Sequence, residues 1–293
     1  MKAVQLLKEI RHDRIAATSL VVAVAILLLA VFLPILSPTD PDASNLAQRF
    51  EPPIWLGGTA GLLGTDELGR DVLLRIAYGL RTSFTVGVLA VIISAVIGTT
   101  IGLIAGYFGG RVDAVLMRIT DVMMAFPGLL LVMVLVLAAG RGIVPIAIIL
   151  GLLMWTLYAR VIRGAVLSLR STDLVAAHAA LGAGSTRVLL RHVLPNVGPT
   201  IVAIVAVEFG RVMLAEAALS FLGLGVQAPT ISLGAMLSEG REYLVQQWWL
   251  ATFAGLFLTV AVLAVNFIGT WLERQTDPTW ARKRVTPARG ARV

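Results

Sequence analysis

The sequence predicts an all-α polytopic membrane protein with six transmembrane helices and both termini in the cytoplasm. Three observations carry this. Of the 293 residues, 58% are hydrophobic and only 14% charged, and the mean hydropathy is +0.88. Soluble domains are about 45–50% apolar and about 25% charged. The apolar residues also come in solid runs, several reaching the about 20 residues a bilayer-crossing helix needs, without the alternation of a barrel strand. Lastly, Lys and Arg are spread unevenly between the segments that join the runs.

The first run, 15–36, follows Lys2, Lys8, Arg11 and Arg14. It is long enough to span, and the SPTDPDAS after it offers no small-residue cleavage site, so it reads as an uncleaved first span. Residues 1–36 are thus a cytoplasmic N-terminus and span one. Residues 37–83 form an outer segment broken up by Pro38, Pro41, Pro52 and Pro53. An ordered loop and a short amphipathic helix are expected there. Residues 84–276 form the core. Its spans are 84–108, 117–139 with Pro127 inside, 143–158, 197–222 and 249–271. The tail, 277–293, is basic and interrupted by Pro and Gly, and is expected to be flexible beside the anionic inner leaflet.

Orientation follows from the positive charges. With the N-terminus inside, the cytoplasmic segments hold 17 of the 24 Lys and Arg residues. The outer segments hold six, Arg49, Arg70, Arg75, Arg81, Arg141 and Arg241, while Arg211 lies within the fifth run. The net charge of +7 therefore reports orientation rather than nucleic-acid binding. No cysteine is present, which excludes disulfides and thiolate metal sites. The three histidines have no metal-ligand spacing.

One cytoplasmic stretch differs from the rest: VAAHAALGAGSTRVLLRHVLPN, residues 175–196. Asp173 can cap a short helix whose small or apolar face is Leu174, Ala177, Ala180 and Leu181. Gly182 permits a sharp break. Ser185 can cap a second piece bearing Val188, Leu189, Leu190, Arg187 and Arg191, and Pro195 then falls near the first turn of span five. Two readings fit this basic knob: a hairpin that merely joins spans, or a docking element for a soluble partner.

At these residues the chain resembles the permeases of ABC importers. Ala176, Ala177, Ala180, Leu181 and Gly182, then eleven residues, then Leu194 and Pro195 match that family's cytoplasmic coupling loop, 168–196 here. Ala176 stands where the family has an acidic residue, and His192 where it has an aliphatic one. LLGTDELGRDVLLRIAYGLRTS (62–83), YARVIRGAVLSLR (158–170), ALSFLGLGVQAPTISLG (218–234) and the final span, 248–278, resemble the C-type permeases of dipeptide, oligopeptide and nickel importers. Within these, Leu233 replaces a usual Trp, Ala228 a usual Pro and Ala254 another.

The resemblance implies the MetI-like ABC permease fold. It also implies a heterodimer with a related B-type permease, two cytoplasmic ATPases and an extracytoplasmic solute-binding protein. The coupling loop then sits in a groove of an ATPase, with Arg187 and Arg191 as charge contacts and Asp173 as a substitute for the missing acid. No cofactor is expected in this chain. No Walker A pattern occurs in it, so ATP and Mg²⁺ are expected in the partner ATPases, and this chain is not expected to be an enzyme.

Other features admit two readings each. GLGVQA (223–228) fits part of a dinucleotide-binding pattern but follows a span, not a strand. Gly98, Gly102 and Gly106 line one helix face, fit for packing inside the chain or against a second subunit. Glu208 and Arg211 can pair at i,i+3 on span five as an internal ion pair, or line a substrate path together with Glu216. Met123, Met124 and Phe126 before Pro127 suit either core packing or a path wall. Asp66, Glu67, Arg70 and Asp71 suit local ion pairs or a binding-protein contact. Peptides are the substrate the resemblance favours, with nickel or another small solute as alternatives. A gradient-driven carrier would show internal repeats, which are not seen. An intramembrane enzyme would need a span histidine, which is missing. An inert scaffold would not need the coupling-like loop.

Overall fold

A computed structural model of the chain describes residues 13–170 and 184–276. The described residues are helical apart from turns, with one isolated bridge between Thr65 and Asp71. Helix α1 is Arg14–Leu36, α2 Val72–Phe108, α3 Gly110–Ala125, α4 Gly128–Ala139 and α5 Ile143–Arg170. Then come α6 Ser185–Val188, a π turn Leu189–Val193, α7 Leu194–Phe221, α8 Leu233–Gly240 and α9 Trp249–Thr276.

Four helices, α1, α2, α5 and α9, are long and apolar enough to cross a bilayer; counting the bent pair α3–α4 as one span makes five. Helix α7 coincides with the expected fifth span but carries Glu208, Arg211 and Glu216 and is not among them.

Caps explain several boundaries. Asp13 accepts hydrogen bonds from the amides of Ile15 (3.0 Å) and Ala16 (3.2 Å), which starts α1. Asp71 accepts from the Leu74 amide at 2.9 Å. Helix α2 therefore begins at residue 72, not 84, and the separate amphipathic helix expected before span two is its first three turns. Its 37 residues extend for about 55 Å. Helix α5 likewise runs on to Arg170, past the expected end at 158. At Gly109 and Gly110, φ is +65° and +54°. Two successive left-handed residues turn the chain sharply from α2 into α3.

The expected third span is broken, not merely kinked. Helices α3 and α4 meet at 85°. Pro127 removes an amide and drives Phe126 into extended backbone (φ −82°, ψ 139°), which ends α3.

Packing fixes the helix directions. Gly98 lies against Trp155 and Tyr158, Gly102 against Ala159 and Ile162, and Gly106 against Val166 and Arg163. Both series rise together, so α2 and α5 run parallel. The chain between them must return to the starting end, and α3–α4 makes that return. Between hydrocarbon-coated helices the hydrophobic effect contributes little, and close backbone approach through small residues is what holds them. Of the two readings of the glycine stripe, the structure selects packing inside the chain.

Helix α7 opposes α2, with Gly87 on Phe209, and α9 opposes α7, with Gly210 on Asn266 and Gly269 on Val207. Helix α1 packs on α2 and α9. One apolar core joins α1, α2, α7, α8 and α9 through Ile26, Leu80, Met213, Leu233 and Ala254. A second joins α2, α4, α5 and α7 through Val86, Val136, Leu150 and Leu219.

Candidate functional site

The loops 37–71 and 222–248 meet at the Val72 end of the bundle. Arg70 pairs with Asp66 at 2.6 Å and Glu67 at 3.0 Å. Buried Arg75, from the first turn of α2, reaches Asp66 at 3.4 Å, Asp42 at 3.7 Å and Glu239 of α8 at 3.3 Å. These charges fasten α2, α8 and the long loop 37–71 to one another. Asp66, Glu67 and Arg70 thus make local ion pairs, and Asp71 is a helix cap. Sequence reading singled out Asp66 and Arg70 but missed Arg75 and Glu239, which are 164 residues apart.

Below this network lies a carboxylate sealed from solvent. Glu216 is 0% exposed. Its Oε1 accepts from Ser220 and Ser232, both at 2.8 Å, and its Oε2 accepts from Ser83 at 2.7 Å. Ser220 lies one turn further along α7, Ser83 on α2, and Ser232 caps α8 through the Gly234 amide. One side chain thereby joins three elements. Its burial is tolerable because its oxygens have three hydroxyl donors.

Two turns earlier, Glu208 and Arg211 form the expected i,i+3 pair at 3.0 Å. The pair is lopsided: the Glu208 side chain is buried and that of Arg211 is 61% exposed. Arg211 thus puts a positive charge on the open side of α7, beside exposed Leu214. At the α3–α4 break Met123 is half-buried, Met124 is 47% exposed and Phe126 55% exposed. The six residues suggested as a path therefore separate into three places: the break, the Glu208–Arg211 pair and the sealed Glu216.

At the opposite end, Asp113 takes a two-pronged contact from Arg163, at 2.5 and 2.6 Å. Asp121 accepts from Arg160 at 2.6 Å. These bonds pin α3 to the long extension of α5. Paired guanidinium–carboxylate bonds are the stronger kind, while an exposed pair contributes little. A double-mutant cycle on Asp113→Ala and Arg163→Ala is expected to give a coupling of about 1–2 kcal/mol, against under about 0.5 kcal/mol for Asp121 with Arg160. Unfolding in mixed micelles measures both, and equal couplings would contradict this ranking.

The segment 168–196, expected from the resemblance to be the coupling loop, is described at 168–170 and 184–196. Asp173, Ala176, Ala177, Ala180, Leu181 and Gly182 lie outside the described residues. Ser185 does not act as a capping residue: Gly184 takes the N-cap position, with no side-chain hydrogen bond. The chain runs through the π turn into α7, and Pro195 falls in the first turn as expected, where the missing amide costs little.

The π turn has a clear effect. Val188 and Val193 are five apart, out of register for one face of an α-helix, yet both are buried in one cluster with Val197, Leu103, Ile162 and Val166. The wider turn takes up the extra residue and aligns them. Arg187, Arg191 and Pro195 are left exposed, and Leu194 is half-buried. The segment is therefore docked by one apolar face on α2 and α5 and presents its arginines outward.

These features define a multi-pass helical membrane protein. Comparison with known proteins places it further. Residues 98–281 match the family described as binding-protein-dependent transport system inner membrane component. Residues 4–53 match the N-terminal TM domain of oligopeptide transport permease C. The chain is 38% identical to the di/tripeptide transport system permease protein DppC of Pseudomonas aeruginosa (strain UCBPP-PA14), over 91% of this chain and 89% of that one. It is 35% identical to the oligopeptide transport system permease protein OppC of Bacillus subtilis (strain 168), over 92% and 87%. It is 34% identical to the probable D,D-dipeptide transport system permease protein DdpC of Escherichia coli (strain K12), over 92% and 89%. The chain belongs to the family of binding-protein-dependent inner-membrane transport components, in the branch that holds the DppC and OppC permeases.

Proposed function

We propose that this chain is one of two permease subunits of an ATP-driven importer of di- or oligopeptides in a bacterial inner membrane. The observation that carries the proposal is identity of 34–38% to three peptide permeases along about nine-tenths of their length. The second subunit is a related B-type permease. Two cytoplasmic ATPases bring ATP and Mg²⁺, and an extracytoplasmic binding protein brings the peptide.

Six crossings with both termini on one side are supported by the helix directions, and the Lys and Arg bias puts that side inside. Helix α2 runs parallel to α5 and antiparallel to α7, α9 opposes α7, and the pair α3–α4 returns the chain between α2 and α5. Helix α7 then crosses with its charges turned to protein or to the path. The backbone interruption at Phe126–Pro127 also bears on where the partner lies. Unpaired backbone groups are not tolerated against lipid, so such a break lies against protein or a wet cavity. Met123, Met124 and Phe126 then face the partner permease and the path, while Arg211 offers a separate exposed charge on α7. Glu208 holds Arg211, and Glu216 acts as an internal tie that keeps the outer ends of α2, α7 and α8 together as one body.

The segment 168–196 transmits ATPase motion. Its second half is braced on α2 and α5 by Val188 and Val193, so a push on Arg187 or Arg191 moves the bundle and not a loose loop. Gly182→Pro is expected to leave membrane insertion and subunit assembly intact while abolishing ATP-driven peptide uptake in proteoliposomes. Uptake at the normal rate by that variant would refute the lever.

A further inference from the structure

One loop at the outer end presents apolar side chains where a water-exposed loop would not. Ile54, Trp55 and Leu56 are consecutive, and they are 54%, 54% and 52% exposed. They occupy a single 3-10 turn closed by Leu56 N to Pro53 O at 2.8 Å and Gly57 N to Ile54 O at 3.1 Å. Pro52 and Pro53 precede it. Gly57 follows with φ +96°, and Gly58 sits so tightly on the Pro52 carbonyl that no side chain would fit. Glu51 clamps the base of the loop, accepting from Thr59 N and Ala60 N at 2.8 Å each and from Thr59 Oγ1 at 2.9 Å. The tip is a rigid wedge, so little ordering entropy is lost when it is buried.

The wedge is fastened beside a span. Trp55 meets Phe253 of α9 edge-on at 5.9 Å, and Trp248 meets the same ring at 5.8 Å. The Trp249 indole reaches back to Thr65 O at 3.4 Å. Trp249 and Trp271 stand 22 residues apart on α9, about 33 Å along the helix, close to the about 30 Å of hydrocarbon in a bilayer. Both indoles are buried in the bundle, so the level is set by α9 itself, which is long and apolar enough to cross from Trp249 onward. Phe253 is one turn inside that start, so Trp55 lies near the level where α9 enters the bilayer, on the outside of the bundle.

We propose that residues 54–56 form a monotopic lipid wedge, inserted in the outer leaflet next to α9, which fixes the height of the long outer loop against the membrane. The wedge requires that α9 cross the bilayer and is independent of substrate and of the ATPases. The occupant is lipid and not a soluble protein, because the tip is continuous with the apolar flank of a spanning helix and carries no charge.

The chain has no cysteine, so a single nitroxide label can be placed at Ile54→Cys, Trp55→Cys or Leu56→Cys in the full chain, assembled with its partners in nanodiscs. Collisions with oxygen, which concentrates in lipid, are compared with those of a water-soluble nickel chelate, with Thr39→Cys as the exposed control. The expected ratio of oxygen to nickel collisions at 54 and 56 is several-fold above that at 39. A ratio equal to the control places the tip in water and overturns the wedge. Shielding from both reagents places it under a protein and overturns it equally. The readings at 54 and 56 stand alone if the label at 55 disturbs the ring cluster. Peptide uptake by the labelled importer, measured separately, tests the transport reading without bearing on the wedge.

Discussion

Replacing Glu216 by alanine is expected to destabilise the bundle by about 3–5 kcal/mol, from a buried cavity plus the loss of three hydrogen bonds. Two of the three serines can partly compensate. Ser83 and Ser220 are helical and can turn their hydroxyls to the carbonyl one turn back. Ser232 caps α8 and has no such turn behind it. Glu216→Gln keeps the shape and leaves Oε1 as acceptor for Ser220 and Ser232, while its amide can donate to the Ser83 oxygen. Its expected cost is about 1 kcal/mol. Equilibrium unfolding of the two variants in mixed micelles reads the difference. Equal stability of alanine and glutamine variants would mean that the hydroxyl network does not hold α2, α7 and α8 together. Ser232→Ala in the Glu216→Ala background should cost only about 1 kcal/mol more, for the lost α8 cap, because its bond to Glu216 is already gone.

Gly98→Leu is expected to cost about 3 kcal/mol or more, at or above the upper end of ordinary overpacking. The reason is what stands opposite. A β-carbon at Gly98 would lie 2.3 Å from the Trp155 carbonyl oxygen and 2.5 Å from Tyr158 Cβ. Backbone cannot step aside as a flexible side chain can, so α2 and α5 must separate along their whole seam. Gly164 of α5 is the internal control, since a β-carbon there meets nothing within 4 Å. Gly164→Ala should be neutral or stabilise by up to about 1 kcal/mol, the usual gain of alanine over glycine in a helix. Thermal midpoints of the two variants in detergent compare them. If Gly98→Leu melted with the parent, the α2–α5 contact would not be the seam of the bundle.

Much of this architecture was legible in the sequence because hydropathy is a one-dimensional signal. The runs at 15–36, 197–222 and 249–271 agree with α1, α7 and α9 to within a few residues at their N-terminal ends. The run at 84–108 does not, because the first turns of α2 contain Arg75 and Arg81 and their apolar face is short. The signal that could have found that start was the Asp71 cap. Pro127 was visible, but the size of the break depends on how two short helices dock, which no local pattern contains. The face of Gly98, Gly102 and Gly106 was legible, while its partner was not. Glu208 with Arg211 was legible as an i,i+3 pair. The tie at Glu216 was not, because Ser83 is 133 residues away and a lone serine carries no signal. The π turn was hidden as well, since Val188 and Val193 break the helical period that pattern reading relies on.

The two ties have a bearing on transport. Glu216 makes one body of α2, α7 and α8 at the Val72 end, and Val188, Val193 and Val197 make one body of α2, α5 and residues 184–196 at the opposite end. Since α2 takes part in both, force on residues 184–196 under the proposed importer reading would be carried to the Val72 end through a single helix of 37 residues. Rocking of a stiff bundle suits a subunit that works against a second one.

The most direct test of that account is purification of the full chain from its native membrane in mild detergent, with its companions identified by mass spectrometry. The account predicts a second, related permease and P-loop ATPases, with the ATPases lost and the permease retained when Arg187 and Arg191 are both changed to glutamate. Recovery of the chain alone or as a homodimer, with no ATPase at any detergent strength, would contradict it.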